Sequence, residues 1–561
     1  MDVFTFLVGG KAGEGVKKAG SVAAHLFSNM GRFIFEMDDY QSLIRGGHNY
    51  SVVSSSTKKI TSHYGRADVV VCLDERSYTL HTSHVTASGI MVFNTDTTEG
   101  EGIGIGIPLT SLAKEYAHPS LLLGVGAVAI LAAAINQEKE DLKTVIETEY
   151  PRGIEDNIAY GLQIYEKAKE SMGDGFSLDQ GAKKRPIISG NQAIALGACA
   201  GGLDVYCAYP MTPSTSILHF LAAHREELGV AVIHPENEIA VMNMAIGAAF
   251  AGARSMVGTS GGGFALMQEA FSLAGMTEAP VLCVVSSRPG PSTGVPTYTE
   301  QGDVSFALHQ GHGEFPRVVA SPGSISEAFS LAAQLLSLAW KFQIPAILLT
   351  EKHLSESSMT VDTDTEIHID QAPWAVPLSP QENEKKEEKE DYYRYKDTAD
   401  GISPLLFLPH SSPINWNSYE HDEKGITTED PRTITAMHDK RRRKSETLRE
   451  HLQSMSTVNT YGKKGPVIFT YGSTTMSVLE SVRAESLQVR VVQPVYLEPF
   501  PVWDVTPYRD EDIITVELSS TNAFAQLLKE KAGLTTSSHI TQYNGRPFHP
   551  RELAHRLQEV I

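Results

Sequence analysis

Short apolar runs rich in β-branched residues alternate along most of the chain with Ala-rich segments whose apolar residues recur at helical spacing. The runs VFTFLV, SMVGTS, VLCVVSS and AILLT are typical of buried strands, and the segments between them are typical of helices. This alternation predicts an α/β protein with doubly wound, mostly parallel sheets. In such sheets the functional loops lie at the carboxyl ends of the strands, so we expect the active residues there.

The length of 561 residues exceeds a single ordinary core, because domains usually contain roughly 100–200 residues. We expect three α/β domains, at residues 1–176, 184–372 and 462–561, with a connector at residues 373–461. The segment SMGDGFSLDQGAKKR, rich in Gly and charge, separates the first two domains. The charge run in QENEKKEEKEDYYRYKD marks the connector, because such a segment cannot bury enough apolar surface to order itself alone.

The formal net charge of -20 argues against general binding to nucleic acids or anionic membranes, because such surfaces need an excess of Lys and Arg. The start MDVFTFLVGG has no basic region ahead of its apolar run, so we expect no signal peptide and a cytoplasmic protein. The apolar stretch at residues 120–135 is shorter than the ~20 residues of a membrane-spanning helix. It therefore predicts a buried helix and no membrane partner.

The four cysteines, Cys72, Cys199, Cys207 and Cys283, form no C-x-x-C pair and have no His at metal-ligand spacing. We therefore expect no iron-sulfur cluster, zinc site or disulfide in this chain, and no metal ligands.

The run KRRRK at residues 440–444 fits either a basic binding patch or a solvated helix face. Because its surroundings contain few strongly apolar positions, we favour the solvated face.

The segment AYPMTPSTSI places Thr212 between Pro210 and Pro213, so the threonine hydroxyl is presented from a rigid loop. Such a loop can hold a carboxylate ligand, while a proline-rich turn after a strand has the same pattern. Ser214 and Thr215 either assist binding or cap the next helix.

Arg288 ends the apolar run VLCVVSS and enters the segment RPGPSTGVPTYTEQGD. Its planar guanidinium is placed to hold a carboxylate with two parallel hydrogen bonds. Thr293 and Thr297 in the same segment are secondary contacts or plain surface hydroxyls.

Three segments of the second domain resemble, in order and spacing, the alpha subunit of 2-oxoacid:ferredoxin oxidoreductases. They are AYPMTPSTSI, ENEIAVMNMAIGAAFAGA and RPGPSTGVPTYTEQGD, and TSGGGFALMQEA resembles the TSGPGF turn of that family. SLIRGGHNYSVV in the first domain resembles the gamma subunit, while SYEHDEKG and YNGRPF resemble the connector and tail of the alpha subunit. The resemblance covers nearly the whole chain and implies a fused gamma-alpha subunit.

The resemblance implies a Rossmann-like gamma domain, a thiamine-enzyme pyrimidine-binding domain and a transketolase C-terminal-like domain, the last with a structural role. It also implies CoA-dependent oxidative decarboxylation of a 2-oxo acid to acyl-CoA and CO2, with electron transfer to ferredoxin. Thiamine diphosphate would be shared with a separate beta subunit, which would hold Mg and the iron-sulfur cluster. The expected assembly is a heterotetramer of two gamma-alpha and two beta chains.

Thiamine catalysis needs a carboxyl group against the ring nitrogen of the aminopyrimidine. The resemblance assigns this catalytic role to Glu238, with Glu236 as the nearby competitor. Taken alone, Glu238 is more typical of the first turn of a helix, where the macrodipole favours a carboxylate.

Other site residues follow from the same resemblance. The implied substrate-binding residues are Thr212, Arg288, Thr293 and Thr297. The implied cofactor-binding residues are Pro210, Glu238, Gly261, Gly262 and Gly263. Arg45, Gly46 and His48 would help receive CoA, and interface packing explains their segment equally well. Two positions depart from the family pattern, because Gly262 stands where proline is common and Asn237 stands where aspartate is common.

Three alternatives concern the substrate and the class of function. Gamma-alpha fusion and the RPGPSTGVPT loop favour 2-oxoglutarate, with pyruvate and branched-chain 2-oxo acids as the alternatives. A nucleotide-dependent dehydrogenase is disfavoured, because GGKAGEG is not the G-x-G-x-x-G fingerprint. A non-catalytic regulatory or assembly subunit is disfavoured by the presence of Glu238, Thr212 and Arg288.

Overall fold

Residues 3–41, 47–100, 102–363, 392–409 and 412–561 are described by the computed structural model, and in these ranges the strands form three sheets. The first part of the chain begins with the expected strand, glycine turn and helix. Its elements are β1 (Val3–Lys11), α1 (Val16–Asn29), β2 (Phe33–Asp39), β3 (His48–Ser56), β4 (Ala67–Cys72), α2 (Glu75–His81), β5 (Val85–Asn94), β6 (Ile105–Ile107), α3 (Leu109–Ala113), α4 (Pro119–Ala134), α5 (Lys139–Glu149), α6 (Ile154–Met172) and β7 (Ile187–Ser189).

The middle part alternates strands and helices as the sequence pattern predicts. Its elements are α7 (Gly190–Ala200), β8 (Val205–Cys207), α8 (Thr215–Ala223), α9 (Arg225–Leu228), β9 (Ala231–Ile233), α10 (Glu238–Phe250), β10 (Ser255–Thr259), α11 (Gly261–Leu266), α12 (Gln268–Met276), β11 (Val281–Ser287), α13 (Val304–Leu308), β12 (Val318–Ala320), α14 (Ile325–Phe342), β13 (Ala346–Glu351), α15 (Lys352–Ser355) and β14 (Ser358–Thr360).

The last part begins with a long helix and continues with a third alternation of strands and helices. Its elements are α16 (Pro431–Gln453), β15 (Val458–Tyr461), β16 (Val467–Phe469), α17 (Thr474–Ala484), β17 (Arg490–Pro494), β18 (Tyr496–Glu498), α18 (Val502–Val505), β19 (Ile513–Glu517), α19 (Ala523–Ala532), β20 (Ser538–Thr541) and α20 (Pro550–Gln558). Strand β15 lies within the segment predicted as the connector and pairs antiparallel with β17. The charge run at residues 381–391 lies outside the described residues.

The second and third sheets confirm the predicted mostly parallel architecture. Their strand orders are β18-β12-β13-β11-β10-β8-β9 and β15-β17-β16-β19-β20, and only β18 and β15 run antiparallel to their described neighbours. The first sheet has the order β6-β5-β4-β1-β3-β2-β14-β7 and is mixed. Strands β2 and β3 run antiparallel there, because the short connection between them cannot hold the crossover that parallel strands need.

The first and second sheets each contain strands from more than one part of the chain. Strands β14 and β7, which flank the middle part in sequence, extend the first sheet. Strand β18 of the last part extends the second sheet by pairing with β12. The parts therefore meet through backbone hydrogen bonds as well as side-chain packing.

Helix α4 contains the apolar stretch that the sequence predicts to be a buried helix. Its residues from Leu122 to the end of the helix are buried against α1 and α6, which confirms that prediction. Within the described ranges, no helix is both long enough and apolar enough to cross a membrane.

The KRRRK run forms part of α16, and the solvated face predicted for it is wrong for three of its five residues, whereas Arg442 is exposed and Arg443 is half-buried. Lys440, Arg441 and Lys444 are buried. Lys440 Nζ lies 2.7 Å from Glu278 Oε1, and Lys444 Nζ bonds the other oxygen of the same carboxylate. Arg441 makes a two-pronged pair with Glu420. Lysine is rarely buried unless it is paired, and here the pairing partners come from distant parts of the chain.

Candidate active site

The segments that contain the candidate residues lie at one edge of the second sheet. Thr212 lies in the loop after β8, and Glu238 begins the helix that follows β9. The Gly261–Gly263 turn follows β10, and Arg288 follows β11. Because these strands run parallel, all four segments lie at the same carboxyl edge, where α/β proteins bind their ligands.

Glu238 is the first residue of α10 and is only 2% exposed. Asn237 caps this helix, because its side-chain oxygen accepts a hydrogen bond from Ala240 N over 3.0 Å. Within the described residues, the buried Oε1 of Glu238 has no hydrogen-bond partner. Its competitor Glu236 is exposed two residues earlier. The structure thus separates the two carboxylates by burial.

Gly263 is the point where the glycine turn meets Glu238. A Cβ at Gly263 would lie 2.5 Å from Glu238 Oε1 and closer still to Thr259 Oγ1. A side chain at this position would therefore displace the buried carboxylate. Glycine is required here for the close approach of backbone and side chain.

The same turn meets the segment at residues 288–303, which we call the substrate loop. A Cβ at Gly261 would lie 2.6 Å from Asp303 Oδ2, and a Cβ at Gly262 would lie 4.0 Å from the Ser292 carbonyl. Asp303 Oδ2 also accepts a hydrogen bond of 2.6 Å from the Ser287 hydroxyl, which closes the base of the loop. Burial raises the pKa of Asp303, against the opposing effects of Ser287 and nearby Arg288.

Arg288 connects the substrate loop to the loop that contains Thr212. Its Nη1 donates a hydrogen bond of 2.8 Å to the Thr212 carbonyl. Thr297 is buried, and its hydroxyl has no partner among the described residues. Thr293 and Pro210 are exposed. The structure therefore brings Thr212 and Arg288 into direct contact and leaves Thr293 and Pro210 at the surface.

The loop after β8 is held from below by Asn191, which sequence reasoning missed. Asn191 Nδ2 donates to the Pro213 carbonyl over 2.8 Å and to Ser216 Oγ over 2.7 Å. Ser214 makes no described side-chain cap to α8, and its hydroxyl donates to the Met211 carbonyl instead.

His48 lies in the first sheet, and Arg45 and Gly46 lie outside the described residues. His48 is buried, with its Nε2 2.8 Å from His81 Nε2. Burial lowers the pKa of His48, and it lowers the pKa of His81 to about 3. Both imidazoles are therefore neutral at neutral pH, so His48 offers no positive charge to an anionic ligand.

Two further polar residues at this edge were missed, Gln301 and Glu351. Glu351 ends β13, and its Oε1 accepts hydrogen bonds from Gln301 Nε2 over 2.7 Å and Ser473 N over 2.9 Å. Burial raises the pKa of Glu351 to about 7, although hydrogen bonds from Ser473 and Gln301 oppose that shift. Glu351 could have been identified from the sequence, because it is a carboxylate at the end of a buried strand. The local sequence around Gln301 has no feature that would identify it.

Two family models match the chain. One, described as pyruvate ferredoxin/flavodoxin oxidoreductase, matches residues 5–166. The other, described as pyruvate flavodoxin/ferredoxin oxidoreductase, thiamine diP-bdg, matches residues 196–440, which include the edge described above.

A curated relative decides the family. It is the alpha subunit of a 2-oxoacid:ferredoxin oxidoreductase from a Sulfolobus species, which is 30% identical over 99% of this chain and 97% of the relative. The chain belongs to the alpha subunits of the 2-oxoacid:ferredoxin oxidoreductases. This confirms the family resemblance that the sequence motifs predict.

Other members of this oxidoreductase family match as well. The structure of 2-oxoglutarate:ferredoxin oxidoreductase from Magnetococcus marinus, with 2-oxoglutarate, coenzyme A and succinyl-CoA bound, is 27% identical. It superposes with a TM-score of 0.89, covering 100% of this chain and 99% of that chain. The 2-oxoglutarate synthase subunit KorA of Archaeoglobus fulgidus is 40% identical over 30% of this chain and 50% of its own length.

The two departures from the 2-oxoacid:ferredoxin oxidoreductase pattern have physical explanations. Asn237 acts as a helix cap, and asparagine and aspartate cap equally well. Gly262 lies in the first turn of α11 with open space around its missing side chain. Proline is tolerated in a first turn, so glycine and proline are both compatible with this backbone.

Proposed function

We propose that this chain, together with a beta subunit, catalyses the CoA-dependent oxidative decarboxylation of a 2-oxo acid to acyl-CoA and CO2, with ferredoxin as the electron acceptor. The observation that carries this proposal is the buried, unpartnered Oε1 of Glu238 among the described residues, packed against Gly263 at the carboxyl edge of the second sheet. The same edge carries Arg288 and Thr212 in contact with each other.

The residues at this edge fit thiamine diphosphate. A buried carboxylate oxygen without a partner is costly unless a ligand supplies a donor, and a protonated aminopyrimidine ring nitrogen is such a donor. Bound thiamine diphosphate supplies the carbon nucleophile and the electron sink for loss of CO2. Glu238 would hold and exchange the proton on the ring nitrogen, while Pro210 and Gly261–Gly263 would line the ring.

The substrate carboxylate is assigned to Arg288. Its Nη1 is held by the Thr212 carbonyl, while Nε and Nη2 have no hydrogen-bond partner in the described part of the chain. These two donors form the parallel fork that matches a carboxylate. The free hydroxyl of Thr297 would accept or donate a further hydrogen bond, and Thr293 would contact the outer end of the substrate.

Arg288→Lys is expected to lower kcat/KM for every 2-oxo acid by about 10- to 100-fold, because lysine keeps the charge and loses the fork. The measurement is dye reduction by the complex co-expressed with the beta subunit, with pyruvate and 2-oxoglutarate compared. A large loss of kcat/KM for 2-oxoglutarate alone would show that Arg288 binds the distal carboxylate of that substrate instead.

We propose 2-oxoglutarate as the leading substrate, with pyruvate and branched-chain 2-oxo acids as the alternatives. The bound 2-oxoglutarate and succinyl-CoA in the Magnetococcus marinus relative support this choice. The test is a panel of 2-oxo acids offered to the co-expressed complex and read by reduction of a viologen dye. A higher kcat/KM for pyruvate than for 2-oxoglutarate would make pyruvate the assigned substrate.

We retain Arg45, Gly46 and His48 as candidates for CoA binding; His48 lies in the first sheet, and the other two lie outside the described residues. Because His48 is buried and neutral, its role there would be packing or hydrogen bonding rather than charge pairing.

We propose that the beta subunit binds to the exposed side of α10 and α11. Ile239, Met244 and Leu266 are 50%, 45% and 52% exposed on these two helices, which meet where Gly263 of α11 approaches Glu238 of α10. A helix that is apolar on all sides is normally buried, and exposed apolar patches mark interaction sites. The beta subunit would bring Mg, the diphosphate half of the site and the iron-sulfur cluster, in an assembly of two gamma-alpha and two beta chains.

Met244→Asp is expected to weaken association with the beta subunit by at least about 30-fold, because a charge would be buried in an apolar contact. Size-exclusion chromatography with light scattering measures the complex formed after co-expression. The matched control is Ile154→Asp, another exposed apolar residue, in α6 of the first part. Wild-type yields of complex with Met244→Asp would place the beta subunit on another surface.

A further inference from the structure

The tail segment YNGRPF, at residues 543–548, packs against the substrate loop. The Gly545 carbonyl accepts a hydrogen bond of 3.1 Å from Thr299 N. A Cβ at Gly545 would lie 3.2 Å from Tyr298 Cβ and 3.7 Å from Pro289 Cγ. The tail backbone therefore touches the loop near its beginning and near its end, and Gly545 adopts the positive φ of 78° that this approach requires.

Arg546 adds a side-chain contact to the same loop. Its guanidinium carbon lies 3.7 Å from the centroid of the Tyr298 ring, which is a close cation–π stack. Its Nε lies 3.0 Å from Asp39 Oδ2, at the end of β2 in the first sheet. One arginine of the last part thus joins the substrate loop of the middle part to the first part.

The end of the loop is fixed by other contacts that do not involve Arg546. Gln301 N donates to the Leu518 carbonyl over 2.7 Å, and Gln301 Nε2 donates to the Tyr471 carbonyl over 2.9 Å. Gln301 Oε1 accepts from Thr474 Oγ1 over 2.8 Å. Beyond this anchor the chain passes through Tyr298 to Thr297, and Tyr298 N donates to the Val295 carbonyl over 3.3 Å. Tyr298 therefore links the anchored end of the loop to the part that contains Thr297.

We propose that Arg546 is a positioning residue that holds the substrate loop, through Tyr298, in the conformation that binds the 2-oxo acid. This inference rests on the proposed function, because it assigns the loop to substrate binding. Arg546 itself does not touch the substrate. The last part of the chain therefore contributes to substrate affinity, beyond the structural role expected from its sequence.

A positioning role and a merely structural joint differ in their kinetic effects. Loss of a structural joint lowers the thermal midpoint and the yield of complex. Loss of a contact that positions the substrate loop weakens binding of the 2-oxo acid equally in the ground state and in the transition state. Such a loss raises KM and leaves kcat unchanged. If Arg546 acts through Tyr298, the effects of changing both residues are also non-additive.

The experiment measures KM and kcat for the 2-oxo acid, KM for CoA and the thermal midpoint in the complex co-expressed with the beta subunit. Arg546→Ala is expected to raise KM for the 2-oxo acid about 5- to 30-fold, with kcat within about twofold. Tyr298→Ala should have a similar effect, and the double variant should be no worse than either single variant. Arg490→Ala is the matched control, because it removes an arginine–carboxylate pair with Glu511 in the same part of the chain.

Arg546→Lys decides the question if Arg546→Ala does not assemble. Lysine keeps the charge beside Asp39 and loses the planar stack, so KM should still rise. An unchanged KM in the Arg546 variants, or effects of Arg546→Ala and Tyr298→Ala that multiply in the double variant, would overturn the positioning role. A wild-type complex that turns over no 2-oxo acid would instead contradict the proposed function itself.

Discussion

Glu238→Gln is expected to lower kcat of the co-expressed complex by about 10²–10⁴-fold, the usual contribution of a placed proton-transfer group. Glutamine has the same shape and still fills the buried position beside Gly263. It cannot take up and release the proton of the ring nitrogen. Assembly with the beta subunit should therefore be retained, and the loss should appear in single-turnover rates as well as in steady-state turnover.

Glu236→Gln is the matched control, because Glu236 is exposed and lies two residues before Glu238. It should change kcat by less than about twofold, since surface substitutions away from a site have small effects. Near-normal turnover in Glu238→Gln together with a large loss in Glu236→Gln would mean that the wrong carboxylate has been assigned.

Glu278→Gln is expected to destabilise the packing of α16 on the middle part by about 3–5 kcal/mol, the usual cost of leaving a buried charge unpaired. Lys440 and Lys444 both pair with this carboxylate, and all three side chains are at most 2% exposed. Burial alone would raise the pKa of Glu278, but the two lysines hold it well below its usual range. The variant would leave two buried ammonium groups facing a neutral amide.

Hydrogen exchange of the α16 backbone amides measures this loss locally, with the amides of α1 as the internal reference. A triple variant with Glu278→Gln, Lys440→Met and Lys444→Met should recover much of the protection, because apolar side chains often replace a buried ion network at little cost. Unchanged exchange in Glu278→Gln would show that the network contributes nothing to the docking of α16.

The sequence pattern predicts the architecture of the site better than its internal contacts. Buried strands and crossover helices have local periodicities, so the order of the motifs and their place at strand ends could be predicted. Arg288 and Thr212 follow β11 and β8, which lie on either side of β10, so their place at one edge could be predicted, whereas the hydrogen bond between them required the structure. The burial of Glu238 and the exposure of Glu236 depend on packing and required the structure.

Contacts between distant segments could not be predicted. Lys440 and Glu278 are separated by 162 residues, and no local pattern indicates that they pair. The stack of Arg546 on Tyr298 likewise depends on how the last part meets the substrate loop. Strands β7, β14 and β18 have only three residues each, too few for an alternating pattern to indicate which sheet they join.

The most direct test of this function measures the products of the co-expressed complex supplied with a 2-oxo acid, CoA, thiamine diphosphate and ferredoxin. We expect one acyl-CoA and one CO2 for each pair of reduced ferredoxins. Product formation should depend on thiamine diphosphate and fall sharply in Glu238→Gln. Reduction of NAD without acyl-CoA would instead indicate a nucleotide-dependent dehydrogenase. Full activity with no thiamine diphosphate bound would contradict the central role assigned to Glu238.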